Sequence, residues 1–222
     1  SNDHAEVKTY SVFETFREMW RKQSFRYLVI AMGLVAFVGG GFGQWQAVYF
    51  IRQYGMNTAE LGAWLSLMSG LAGALGIFLG GYLTQKYAAD DQSLQMKIVI
   101  ASLALMALFG VAAFCGPSKY VALILIGGAN MLYYLHYGPA YSLILGLARP
   151  RMRAMTSSIV LFVVNLVGYG LGPQAAGLLS DLLSTALGDD ALRLSIIIIF
   201  IFVIPAMLNF LKAGRSLHAE LS

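Results

Sequence analysis

Charge is what this sequence has least of. Asp, Glu, Lys and Arg together make up 12% of its 222 residues, against 58% hydrophobic residues. A soluble domain carries about twice that share of charge, so an ordinary soluble fold is excluded and a polytopic membrane protein is indicated. A single cysteine, Cys115, excludes a disulfide framework. No glycine-lysine-serine phosphate loop occurs, which argues against a nucleotide-driven pump. The glycine run VGGGFG (Val38–Gly43) lies inside an apolar stretch and lacks the strand-turn-helix setting of a dinucleotide site. The three histidines, His4, His136 and His218, have no metal-ligand spacing, so no metal and no cofactor are expected. No nucleophile, base and orienting group can be assembled, and an enzyme is not expected. No Asp or Glu lies deep in an apolar run; Asp181 comes nearest. The net charge of +4 sits beside the apolar runs, the membrane pattern rather than a nucleic-acid footprint.

What the sequence has instead is six long apolar runs, about 25–51, 59–84, 97–115, 120–147, 154–183 and 192–212. Each meets the roughly 20 residues a helix needs to cross a bilayer, and helices satisfy every backbone group locally in lipid. The expectation is an all-α bundle of six transmembrane helices. Lys and Arg orient it. Twelve of the fifteen, from Lys8 through Lys86 and Arg149 to Arg215, fall on one side; Arg52, Lys119 and Arg193 fall on the other. The positive-inside rule places both ends in the cytoplasm of a plasma or inner membrane. Ahead of the first run, SVFETFREMWRKQ carries a capping box, Ser11 with Glu14. Phe13, Phe16 and Trp20 share one face there, so residues 3–24 read as an amphipathic helix on the cytoplasmic membrane surface. Residues 25–213 then form the bundle and 214–222 a cytoplasmic tail. Ser1-Asn2 reads as the scar of a protease cut, so further sequence upstream is expected.

Two stretches repeat. GIFLGGYLTQ (Gly76–Gln85) matches GPQAAGLLSD (Gly172–Asp181) at Gly76/Gly172, Gly81/Gly177, Leu83/Leu179, Thr84/Ser180 and Gln85/Asp181. Each closes the middle run of a set of three, in opposite orientations, which predicts an inverted three-plus-three repeat. Between Arg153 and Asp181 lie four glycines, Gly168, Gly170, Gly172 and Gly177, and one proline, Pro173. Small residues at spacings of three and four let helices pack closely in lipid, and Pro173 removes a hydrogen-bond donor, so a bend over Val167–Pro173 is expected. The glycines suit a static interface and a rocking helix alike; the proline favours the second.

The motifs resemble a known family. GGYLTQKY (Gly80–Tyr87) resembles the cytoplasmic loop motif of the major facilitator superfamily through Gly81, Leu83 and Lys86, with Gln85 where an acid usually stands. RAMTSSIVLFVVNLVGYGLGPQAAGLLSDLL and GDDALRLSI (Gly188–Ile196) are similar to the spinster-like branch. The resemblance implies the C-terminal half of a secondary transporter, the seventh to twelfth helices, needing a missing N-terminal half or a second copy. It also implies a small organic or lipid-like substrate moved by alternating access. The alternative is a six-helix assembly or structural protein, even a homodimer, with no transport cycle of its own.

Polar and aromatic residues at helical spacing are the candidates for a solute cavity. The fourth run offers Asn130, Tyr133, Tyr134, Tyr137 and Tyr141. The fifth offers Ser158, Phe162, Asn165 and Tyr169, and the first carries Gln44, Trp45 and Gln46. For the tyrosines, an aromatic belt or ordinary packing is the competing reading. His136 is a weak candidate for a proton relay; a hydrogen bond between helices is the plainer expectation for it. Gly76, Gly81, Lys86, Gly168, Gly170, Gly172, Pro173, Gly177 and Asp181 are the candidates for packing and conformational roles. Membrane lipid is the remaining partner.

Overall fold

The computed structural model describes residues 11–89, 91–116 and 118–221. The expected cut scar and the opening of the amphipathic segment, residues 1–10, lie outside the described residues, as does the side chain of His218. Ser11 accepts from the Glu14 N–H at 3.1 Å, and the Glu14 carboxylate accepts from the Ser11 N–H at 2.9 Å. This reciprocal cap starts α1, Val12–Arg21. Phe16 and Trp20 stack on one side of it with ring centroids 5.2 Å apart.

The first span, α2 (Gln23–Tyr54), ends on Gly55 at φ 61°, a left-handed position glycine adopts without penalty. Asn57 caps the second span, α3 (Thr58–Tyr87), and Asp91 caps the third, α4 (Gln92–Phe114). Ser118 caps the fourth, which is built of α5 (Lys119–Leu135) and α6 (Tyr137–Leu147). The fifth runs from α7 (Arg153–Asn165) through a π-helical segment, Leu166–Leu171, into α8 (Gly172–Leu187). The sixth comprises α9 (Ala191–Ile199), a 3-10 turn at Phe200–Phe202 and α10 (Val203–Leu221). No strand occurs among the described residues.

Among the described residues, five stretches are long and apolar enough to cross a membrane. The last, Pro150–Leu217, holds both the fifth and the sixth spans. Gly188, at φ 53°, turns the chain within one 3-10 turn, and α8 and α9 pack side by side after it. The helices outrun the apolar runs where polar groups sustain them. Gln23 N–H donates to the Glu220 carboxylate at 2.7 Å, and Ser24 Oγ donates to Ser216 Oγ at 2.8 Å. So α2 begins before residue 25, and the expected tail, 214–222, continues α10 as far as Leu221.

Every proline of the sequence lies at or after residue 117, and the three interrupted spans are the three that follow it. A proline at position i removes the N–H that would reach the carbonyl of i−4 and crowds that carbonyl. Pro139, Pro173 and Pro205 therefore act on Leu135, Tyr169 and Ile201. These three residues mark, in order, the end of α5, the middle of the π-helical segment and the middle of the 3-10 turn. The expected bend over Val167–Pro173 thus takes the form of a widened helix, one way a chain absorbs a lost ladder bond.

Two glycine seams hold the spans together. The second packs on the fourth and the fifth on the first. A Cβ added at Gly76 would lie 2.2 Å from the Met131 carbonyl oxygen, and one at Gly80 2.1 Å from that of Leu135. On the other seam, a Cβ at Gly40 would lie 2.0 Å from the Gly168 oxygen, and one at Gly172 2.5 Å from that of Phe37. Both seams are backbone against backbone, the close approach that small residues permit. The remaining contacts join the third span to the fourth, the sixth to the first, and the third to the sixth. At one end, α1 is strapped to the bundle. Lys22 Nζ donates to the Leu147 carbonyl at 2.6 Å, and Arg149 pairs with Glu18 at 3.2 Å.

Candidate solute pocket

Between the first, second, fourth and fifth spans lies a cavity of ≈ 170 Å³. Gly39, Gly40, Phe42, Gly43, Gln44 and Gln46 line it from α2, and Ser69 from α3. Asn130, Tyr133 and Tyr134 come from α5, and Tyr169 from the π-helical segment. No lining residue is charged. Gly39 is what lets Tyr133 reach the wall, since a Cβ there would lie 2.5 Å from the phenol ring. Phe42 meets that ring edge-on at 6.5 Å between centroids, and Tyr134 does so at 5.1 Å.

Two buried side chains of this wall have unpaired atoms. Asn130 is 6% exposed and Gln46 8%; the Asn130 Nδ2 and the Gln46 Oε1 have no hydrogen-bond partner. Leaving such an atom buried and unpaired costs about 1–3 kcal/mol. Other buried side-chain atoms, Thr15 Oγ1, Tyr141 Oη and Thr156 Oγ1 among them, are unpaired as well, so what sets these two residues apart is their place in the wall of the cavity.

Of the twelve residues expected to line a cavity, the structure brings six together here: Gln44, Gln46, Asn130, Tyr133, Tyr134 and Tyr169. Trp45 is turned elsewhere. Its indole N–H donates to the Pro173 carbonyl at 2.8 Å, and its ring lies 2.9 Å from where a Cβ of Gly177 would stand. Tyr137 sits behind the wall, its hydroxyl 3.4 Å from that of Tyr133 and its ring stacked on Tyr134 and Tyr141. Ser158, Phe162 and Asn165 form an exposed face of α7 with Tyr169; Phe162 is 67% exposed. Ser158 Oγ donates to the Ala154 carbonyl at 3.1 Å, and Asn165 Nδ2 to that of Leu161 at 2.7 Å. His136 is buried at the break between α5 and α6. Its Nδ1 bonds the Tyr133 carbonyl of its own helix, in place of the expected bond between helices.

The packing candidates divide. Gly76, Gly168, Gly172 and Gly177 stand at close approaches, whereas Gly81 faces open space and Gly170 nearly so. The Gly81 amide nitrogen would instead meet a Cβ on Gly138, at 3.3 Å. Lys86 Nζ donates to the Tyr82 hydroxyl at 2.8 Å and lies 5.2 Å from the centroids of the Tyr82 and Tyr87 rings. Asp181 is exposed, and its backbone carbonyl accepts from Ser184 Oγ at 2.6 Å. Ser69 escaped the sequence reading. It shares a face with Gly73, Gly76 and Gly80 at offsets 0, 4, 7 and 11, and that face was the available signal. No group of residues able to hold a metal ion occurs among the described residues.

A helical membrane bundle with a polar pocket well inside its spans is the class that fold and site define. The sequence matches the model of the Major Facilitator Superfamily over residues 2–173, and the chain belongs to that superfamily, a family of transporters and not of enzymes. It is 26% identical over 179 residues to an MFS-type efflux pump of Mycolicibacterium smegmatis, covering 81% of this chain and 42% of the pump. It is 24% identical over 159 residues to a probable sphingolipid transporter, spinster homolog 2, of Arabidopsis thaliana, covering 70% of this chain and 32% of that protein. The fold is similar to crystal structures of a bacterial homolog of the human lysosomal transporter Spinster, both inward-facing. The unoccupied form superposes with a TM-score of 0.86 at 24% identity, covering 99% of this chain and 53% of that one. The occupied form gives 0.80, also at 24% identity, covering 91% and 51%. The chain therefore spans half or less of the length of the curated relatives and about half of the solved chains.

Proposed function

We propose that this chain is one half, the C-terminal six-helix half, of a secondary transporter that moves a small organic or lipid-like solute by alternating access. The pocket is this half's share of the solute path. The observation that carries the reading is the cavity itself, inside the spans and walled by polar and aromatic side chains, Gln44, Gln46, Ser69 and Asn130 with Tyr133, Tyr134 and Tyr169. Polar groups at that depth mark substrate paths in proteins of this kind. A second six-helix unit, further chain or another copy, closes the open side, where Gln44, Phe162 and Tyr169 are exposed. The span pairings support an inverted repeat as well. Exchanging the first with the fourth, the second with the fifth and the third with the sixth maps the second–fourth contact onto the fifth–first and the sixth–first onto the third–fourth, and leaves the third–sixth in place; the fifth–sixth contact has only a slight counterpart between the second and third. The lysine and arginine asymmetry supports cytoplasmic ends in a plasma or inner membrane.

The exposed Phe162 and Tyr169 face favours a second reading, a bundle whose role is assembly with another chain. One experiment separates the two. Asn130→Ala and Gln46→Ala are made in the whole protein as its gene encodes it. Exchange of amphipathic fluorescent solutes, an NBD-labelled ceramide and ethidium among them, is followed in proteoliposomes. Exchange lost with the oligomeric state intact supports transport; assembly lost supports the second reading.

A further inference from the structure

Resting on the reading of the chain as one half of a rocking transporter, we infer that α1 travels with this half as a fixed strut, locked by a clasp that the last turns of α10 close over the start of the first span. The joint between α1 and α2 does not flex when the two halves move.

A single extended residue, Lys22 at φ −76° and ψ 122°, separates the two helices. Its side chain makes no cap for α2, so the first amides of that helix need a partner from elsewhere. The partner lies 197 residues further along the chain. The Glu220 carboxylate accepts from the Gln23 N–H at 2.7 Å and from the Ser24 N–H at 3.3 Å. Charge-assisted bonds and the positive end of the helix dipole both favour a carboxylate there. One turn back along α10, Ser216 Oγ accepts from the buried Ser24 hydroxyl at 2.8 Å and donates to the Lys212 and Ala213 carbonyls at 3.1 Å. Phe25 and Leu28 of α2, and Phe210, Ala213 and Leu217 of α10, are wholly buried behind these bonds.

The joint is tied on its other side as well. Lys22 Nζ donates at 2.6 Å to the carbonyl of Leu147, the last residue of α6, where carbonyls lack donors within the helix. Glu18 pairs with Arg149 just beyond. Thr15 and Met19, one turn apart, are buried where α1 packs on α2 and α7. A helix of ten residues is marginal in water on its own, and these ties are what hold this one in place. They run to the fourth and sixth spans at once, so α1 cannot swing in either direction without breaking bonds.

The whole protein is placed in phosphatidylcholine nanodiscs and its amide exchange followed by mass spectrometry. Glu220→Ala is expected to speed exchange over residues 12–27 about ten-fold, as the loss of a helix cap does. Glu220→Gln, which keeps an acceptor, speeds it less. Unchanged exchange in Glu220→Ala overturns the clasp. The strut itself is tested without removing any tie, by spin labels carried on noncanonical amino acids at Arg17 and Arg215, both exposed. A second pair, at Leu187 and at the outer end of the other half, reports whether the halves stand open or closed outside. Both pairs are read at acid and alkaline pH and with the amphipathic solutes named above. One narrow 17–215 distance is expected, the same in both states. A 17–215 distance that changes with the state overturns this inference and leaves the transport reading standing. A second pair that never changes overturns the transport reading, and the strut's role falls with it.

Discussion

Spans one to three are continuous helices; spans four to six are each interrupted. The difference follows the prolines. None lies before residue 117, and Pro139, Pro173 and Pro205 each stand just beyond an irregular turn. Each seam therefore sets one straight helix against one broken helix, α3 against α5–α6 and α2 against α7–α8. Packing in this bundle tolerates a broken partner because the contacts are made by backbone at glycine. A broken helix changes the pitch of its side chains more than the reach of its carbonyls.

The largest effect that sharpens this comparison comes from filling the seams. Gly76→Val and Gly172→Val force a side chain onto a carbonyl in each case. Destabilisation at or above the upper end of about 1–3 kcal/mol is expected from both, read as loss of the monodisperse peak in size-exclusion chromatography. Collapse of one variant with survival of the other would break the equivalence of the seams. Next come Pro139→Ala and Pro173→Ala, which restore a donor aimed at Leu135 and Tyr169. If proline causes the interruption, the new amide becomes protected in hydrogen exchange and the helix gains up to about 3 kcal/mol. An amide that still exchanges freely assigns the break to tertiary packing instead. Trp45→Phe keeps the ring near Gly177 but loses the bond to the Pro173 carbonyl. A loss of about 1 kcal/mol in thermal unfolding is expected. The smallest effect is of opposite sign: Gly81→Ala, in open space within α3, stabilises by roughly 0.5–1 kcal/mol at most.

The six spans were legible because length and apolarity alone decide them, and the seams because Gly76 and Gly172 answer each other across the two repeated stretches. Helix ends were less legible. Nothing in the chain near Lys212 announces that Ser216 and Glu220 bond to Ser24 and Gln23, and so carry α10 past the apolar run. The pocket was half legible. Spacing put Asn130, Tyr133 and Tyr134 on one face, but spacing cannot say which side chains find a partner elsewhere. Trp45 found the Pro173 carbonyl, and Ser158 and Asn165 turned back on their own helix. Gln46, with no such outlet, stayed in the wall. The glycines of VGGGFG, uninformative as a nucleotide motif, prove to seat Tyr133 against Gly39, admit the Gly168 carbonyl at Gly40 and leave open space at Gly43.

Most helix pairs interlock like gears, and turning one about the other forces side chains to climb over their neighbours. Where Gly40 faces Gly168, and Phe37 faces Gly172, there are no teeth. Over Gly168–Gly172 the fifth span has a smooth bearing against the first, and Trp45, bonded to the Pro173 carbonyl, is a peg beside it that a roll would have to move. The position of that bearing, beside Tyr169 and the cavity wall, couples any such roll to the shape of the pocket.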